Sequence, residues 1–314
     1  MTSKFRMTGR IGVGLVCACL MVGFLSTAGL AANKQVTIVA SMLARGSFAN
    51  YVEAGFDMGI EEAKQNGYDI KLVITDSEFK LIKQAADVRD MIVSKPDLMI
   101  LWPCDSRGIV PVIEDINTAG IPVVTIDIAA IGGGDVLSHI ASDNYMGGAL
   151  AADLIAEQMG EKGEVAIIDY PIIASMIDRV RGFKETMAKY PEIKIVAQLD
   201  GKLSRQDAFS ATQSILLQHP DVKGIFGNCD EHALGALAAV EAAGRDNDMV
   251  IVGYDGTPEA IDAIKRGTAL KGDAIQYGEK IGQTAIETAV SILEGEKVPQ
   301  SIAVPMGLVT KADL

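Results

Sequence analysis

The sequence predicts an α/β fold of two doubly wound lobes, each an open parallel sheet with helices on both faces. Three observations carry that reading. Nine apolar runs rich in Val, Ile and Leu recur along the chain, most without a polar alternate face, as strands do when both faces are buried. Amphipathic stretches of about 12–18 residues separate them, an ordinary length for globular helices. The strands are too many for one comfortable sheet of about 4–6, and a length of 314 residues suits two domains of roughly 150 residues each.

The first series of strands is expected over 36–41, 69–75, 97–102 and 121–126. The second is expected over 163–169, 193–199, 222–227, 248–254 and 270–276. Strand, helix and strand repeated in this order give right-handed crossovers. Between the series, Ile140-Ala141-Ser142-Asp143-Asn144 reads as a short strand entering a helix, with Asp143 or Asn144 able to cap the first free N–H groups. In the last helix Ile281, Ala285, Ala289, Ile292 and Leu293 recur at helical spacing, and Gly295 is placed to end it. No Gly/Ser/Pro linker, fixed-period repeat or low-complexity segment divides the chain.

Before the first strand lies a segment of another kind. Lys4, Arg6 and Arg10 precede an apolar run from Ile11 to Leu25, followed by the small residues Ser26, Thr27, Ala28 and Gly29. This order reads as a secretory signal peptide over 1–31, cut after Ala31 or Ala32. The run is shorter than the roughly 20 apolar residues of a membrane span, and Cys17 and Cys19 lie too early within it to make a lipoprotein site. Loss of three cations and no acids would take the formal charge from −13 to −16. Such a chain is poorly suited to nucleic acid or anionic lipid, which demand Lys and Arg. Cys104 and Cys229 then remain, too few for a disulfide framework. The expected location is the periplasm.

In open α/β sheets ligands bind beyond the carboxyl ends of the strands. The residues there run from Ser41 to Phe48 and from Trp102 to Ser106, then Asp127-Ile128, Asp143, Cys229-Asp230-Glu231, Asp255 and Gln276, with Arg179 beside them. The site candidates drawn from these are Ser41, Phe48, Trp102, Asp127, Arg179, Cys229, Asp255 and Gln276. Carboxylates and amides take hydroxyl donors, a guanidinium supplies a planar fork of donors, and aromatic faces lie against C–H surfaces. That set suits a neutral polyhydroxylated ligand. Each residue also has a plainer use: Asp127 in a turn, Asp255 in the turn before Pro258, Arg179 in a surface ion pair, Phe48 as a helix staple, Trp102 as core. His139, His219 and His232 do not converge in sequence, so no metal is expected. No nucleophile elbow, P-loop, dinucleotide fingerprint or H-E-x-x-H motif is present, so neither an enzyme nor a cofactor is expected.

Three runs then occur in order: His139-Ile140-Ala141-Ser142-Asp143-Asn144, Asp230-Glu231-His232-Ala233-Leu234-Gly235-Ala236-Leu237 and Val252-Gly253-Tyr254-Asp255-Gly256-Thr257-Pro258. On these the chain from residue 33 onward resembles the ribose-binding family of periplasmic binding proteins, which serve ABC sugar importers. The resemblance implies a type I periplasmic binding fold, with two Rossmann-like lobes joined by three hinge strands and the ligand in the cleft. It implies crossings near Ser142, after Gln276 and near Pro305. The first lobe would then be 33–142 with 277–304, and the second 143–276 with 305–314. Ser41 and Phe48 match a first-strand serine and a stacking phenylalanine, Asp127 and Arg179 match sugar-binding groups, and Asp255 and Gln276 match the last polar contacts. The chain departs from the ribose binders at Ile128, where they have arginine, at Cys229, where they have asparagine, and at Ala49 and Leu203, where they have aromatics. Ribose itself is therefore not the expected ligand.

The expected function is capture of a sugar or polyol by hinge closure, followed by delivery to ABC permease subunits. A chemoreceptor is a further partner that the resemblance implies, and a monomer is expected. A nucleoside or signalling molecule is the alternative ligand. A LacI-like regulator would need an N-terminal helix-turn-helix and a basic surface, where this sequence has the export signal.

Overall fold

The computed structural model describes residues 33–314, so the signal expected over 1–31 lies outside the described residues. The first part of the chain runs β1 (Lys34–Met42), α1 (Ser47–Gln65), β2 (Tyr68–Asp76), α2 (Leu81–Val93), β3 (Leu98–Leu101), α3 (Val110–Thr118), β4 (Val123–Ile126) and β5 (Ser138–Ser142). The second part runs α4 (Asn144–Met159), β6 (Lys162–Asp169), α5 (Ala174–Met187), β7 (Glu192–Asp200), α6 (Arg205–Gln218), β8 (Val222–Gly227), α7 (Asp230–Ala242), β9 (Val250–Asp255), α8 (Pro258–Arg266) and β10 (Leu270–Ile275). The chain ends with α9 (Gly278–Leu293), β11 (Ser301–Val304) and β12 (Gly307–Thr310).

Two six-stranded sheets result, one ordered β11-β5-β4-β3-β1-β2 and the other β12-β10-β9-β8-β6-β7. The first is wholly parallel; in the second only β12 runs antiparallel. The apolar runs have a direct cause. In β3, Leu98 and Ile100 pack under α1 and α9, while Met99 and Leu101 pack under α2 and α3. In β6, Ala166 and Ile168 join the core of α6, α7 and α8, while Val165 and Ile167 join that of α4 and α5. At these positions neither face can be polar, so Leu98–Leu101 and Val165–Ile168 are apolar throughout.

The chain changes sheet three times, after β5, after β10 and between β11 and β12. Helix α4 packs on α5, β9 and β10, and α9 packs on α1, β4 and β5. The first change is marked by a cap, in which Met146 N–H donates to Asp143 Oδ1 at 2.9 Å. Two elements are additions to the pattern read from sequence. Strands β11 and β12 are four residues each, half exposed, and flank Pro305, so they lack the continuous apolar signature. Helices α3 and α8 have nine residues and α1 has 19, outside the expected range on both sides.

Candidate functional site: the cleft between the sheets

The strand ends of both sheets face one cavity of about 370 Å³. The first sheet contributes the β1–α1 loop from Leu43 to Ala49, then Phe79, Trp102, Asp127 and Ile128. The second contributes Ile173, Met176 and Arg179 after β6, Leu203 and Arg205 after β7, Cys229 to Glu231 after β8, Asp255 after β9 and Gln276 after β10. Seven of the eight sequence candidates, Phe48, Trp102, Asp127, Arg179, Cys229, Asp255 and Gln276, lie on this one surface. Ser41 does not. It is fully buried within β1, and its Oγ accepts from Gln84 Nε2 at 3.3 Å. Gln84 also donates to the Trp102 carbonyl and accepts from Cys104 N–H, so Ser41 belongs to a tether beneath the site.

Arg179 is the most constrained group. Its guanidinium lies 3.7 Å from the centre of the Tyr254 ring. Nε donates to Asn144 Oδ1 at 2.8 Å, and Nη1 donates to the Asn228 carbonyl at 2.8 Å and to Asp255 Oδ1 at 3.3 Å. Tyr254 OH donates to the same Asn144 oxygen at 3.1 Å. Nη2 has no acceptor among the described residues. Asn144 and Asn228 thus act through Arg179. Sequence reasoning gave Asn144 only a capping role and passed over Asn228, because Arg179 lies 35 and 49 residues away and meets Asn228 at its backbone carbonyl.

Close helix packing places the arginine. A Cβ at Gly147 would stand 2.6 Å from the Tyr254 ring, and one at Gly148 would collide with the Arg179 carbonyl. Only glycine lets α4 approach α5 this closely.

The two site carboxylates stand on unusual backbone. Asp127 has φ 57° at the centre of a tight turn closed by Ile128 N–H donating to the Ile126 carbonyl, and Asp255 has φ 122°. Non-glycine residues avoid these regions unless their surroundings hold them there, and such residues cluster at functional sites. Burial pushes both carboxyls up, Asp255 to about 7 against the pull of Arg179. Gln276 Nε2 donates to Asp255 Oδ1 at 2.7 Å. Asp127 Oδ1, Gln276 Oε1 and Trp102 Nε1 are buried without a partner, two acceptors and one donor in one cleft. Trp102 is also core, meeting Phe48 edge-to-face at 5.8 Å.

A second pair of acids, Asp230 and Asp273, is buried against the turn after β9. Asp230 Oδ2 accepts from Thr257 N–H at 2.7 Å, and Asp273 Oδ1 accepts from Gly256 N–H at 2.9 Å, fixing the turn that carries Asp255. Burial, then the adjacent Asp230 carboxylate, pushes Asp273 well up. At the opening, Arg205 is taken up by Glu231 and Glu259. Three cations, Arg45, Arg179 and Arg205, face five acids, Asp127, Asp230, Glu231, Asp255 and Glu259, so the cleft offers no surplus positive charge to an anion.

The lobes also meet directly. Ala174 N–H, at the start of α5, donates to Ser106 Oγ of the β3–α3 loop at 2.9 Å, and Ser106 is 1% exposed. Ile173, Met176 and Cys229 of one lobe share an apolar cluster with Leu43, Trp102 and Ile128 of the other.

Residues 39–297 match the family described as periplasmic binding protein domain. The ribose import binding protein RbsB of Escherichia coli (strain K12) is 35% identical over 288 residues, covering 91% of this chain and 93% of that protein. A periplasmic solute-binding protein of an ABC transporter from Actinobacillus succinogenes 130z, solved with bound D-allose, superposes with a TM-score of 0.80 at 29% identity, over 88% of this chain and 98% of that one. A solute-binding protein from Bacillus halodurans C-125 with bound myo-inositol gives a TM-score of 0.80 at 25% identity, over 90% and 96%.

Proposed function

The chain belongs to the periplasmic binding protein family, and from that premise we propose that it captures a neutral sugar or polyol between its lobes and delivers it to the membrane subunits of an ABC importer. The observation that carries the ligand class is the cleft's own set of unmet hydrogen bonds. Asp127 Oδ1 and Gln276 Oε1 want hydroxyl donors, Trp102 Nε1 and Arg179 Nη2 want an acceptor, and adjacent hydroxyls supply both. Each such bond contributes only about 1 kcal/mol net, so several must act together in a closed, dry site. The relatives named for ribose and solved with D-allose and myo-inositol support the same class.

Binding in this reading involves no bond chemistry. Ligand contacts on both lobes exist only in the closed form, so the ligand shifts the population towards closure. The permease then reads the closed outer face, and a chemoreceptor is a second reader of that face. The lobes in this account are 33–142 with 277–304 and 143–276 with 305–314, and the protein works as an exported monomer in the periplasm.

The test is a thermal-shift screen against sugars, polyols, nucleosides and small acids. A ligand at 100 times its dissociation constant should stabilise by about 2.7 kcal/mol. Sugars or polyols should raise the melting temperature. Stabilisation by nucleosides or acids alone would overturn the proposal.

A further inference from the structure

Among its polar groups, part of the cavity wall is hydrocarbon and thiol. Ile128, Ile173, Met176 and Cys229 line it, are 2%, 1%, 5% and 5% exposed, and belong to one apolar cluster drawn from both lobes. Leu43 and Leu203 extend the same surface towards the opening. Cys229 occupies the N-cap position of α7, yet its side chain caps nothing, and burial pushes its thiol well up. It stays a neutral, weak hydrogen-bonding group. These four side chains themselves offer a ligand hydroxyl no strong partner to replace the water it loses.

We infer that the preferred ligand is a deoxy or C-methyl sugar or polyol, with its hydroxyls on Asp127, Arg179, Asp255 and Gln276 and its unhydroxylated edge on the seam of Ile128, Ile173, Met176 and Cys229. The inference rests on the sugar or polyol reading above and adds the pattern of substitution. Two features make it physical. The buried unpartnered atoms of the cavity wall, Asp127 Oδ1, Gln276 Oε1, Trp102 Nε1 and Asp230 Oδ1, belong to none of these four residues. The seam closes only when Ile173 and Met176, at the start of α5, come against Ile128 and Trp102 of the other lobe. A hydroxyl trapped there is stranded in the closed state alone, so the penalty falls on closure itself. Apolar pockets reject an added hydroxyl by up to about 100-fold, which bounds the expected discrimination at about 10- to 100-fold.

Calorimetric titration with matched pairs tests this: 5-deoxy-D-ribose against D-ribose, D-fucose against D-galactose, and L-rhamnose against L-mannose. The deoxy member of the tightest-binding pair should win by at least about 10-fold. Cys229→Ser, nearly isosteric, and Met176→Gln should each narrow or invert that preference by offering the missing partner. Equal or tighter binding of the hydroxylated member in every binding pair overturns the inference and leaves the sugar reading standing. A deoxy preference unchanged in both variants overturns the assignment to the seam. Absence of binding by every sugar and polyol removes the sugar reading and this inference together.

Discussion

At Arg179 three of the five N–H groups are already committed to Asn144, Asn228 and Asp255, so in the proposed role only the fork's remaining end would meet a ligand. Arg179→Lys keeps the charge but leaves those acceptors unmatched and removes the plane stacked on Tyr254. Sugar affinity should fall at least about 10-fold, or 1.4 kcal/mol, by calorimetry, and unchanged affinity would show that the fork is not read. Asp255 gives a pH signature. Its folded value of about 7 lies above the ordinary 3.8 because of burial, so the native state holds a proton that the unfolded chain has lost. Stability from this group is therefore lost as pH rises from about 4 to about 7. The melting temperature of Asp255→Asn relative to the unsubstituted protein should rise between about pH 5 and about pH 7.5, and a constant difference would contradict the assignment. That the polar candidates share one cavity was legible because they stand at the strand ends of open α/β sheets. Ser41 was misassigned because the sequence does not say which face of β1 meets Gln84. The role of Met176 was invisible because a methionine on a helix reads as core.

Helices α4 and α5 show how an element's spacing sets a site. Gly148→Ala would push its Cβ into the Arg179 carbonyl, and overpacking of this kind costs about 1–3 kcal/mol. We expect a lower melting temperature and weaker ligand binding together. A stable variant with weakened binding would also fit, whereas normal stability and normal binding would not. The β3–α3 loop acts on closure instead. Ser106 touches Ala174 and is not part of the cavity wall, so Ser106→Ala removes a bond present only when the lobes meet. Affinity should drop by about fivefold, the equivalent of about 1 kcal/mol, without any ligand contact being altered. An unchanged dissociation constant would show that this bond does not bias closure. The inner strands of both sheets were readable as elements because two-sided burial leaves continuous apolar runs. Edge strands β11 and β12 lack that burial, and nothing in their composition announces them.

Across the whole molecule, two sheets with their strand ends opposed make a cleft that no single lobe contains. Its polar groups come from both sides, Asp127 from one and Arg179, Asp255 and Gln276 from the other. The division into two sheets followed from strand number, and the family from three short ordered runs. The substitution pattern of the ligand needed the third dimension, since only packing brings Ile128 against Ile173, Met176 and Cys229. The account's central claim is that a neutral sugar or polyol closes these lobes. Small-angle scattering of the purified protein, with and without a saturating hit from the thermal screen, tests it most directly. The radius of gyration should fall on adding that ligand to the unsubstituted protein and stay constant for Arg179→Ala at the same concentration. A radius unmoved by every stabilising sugar or polyol, or an equal fall in Arg179→Ala, would contradict it.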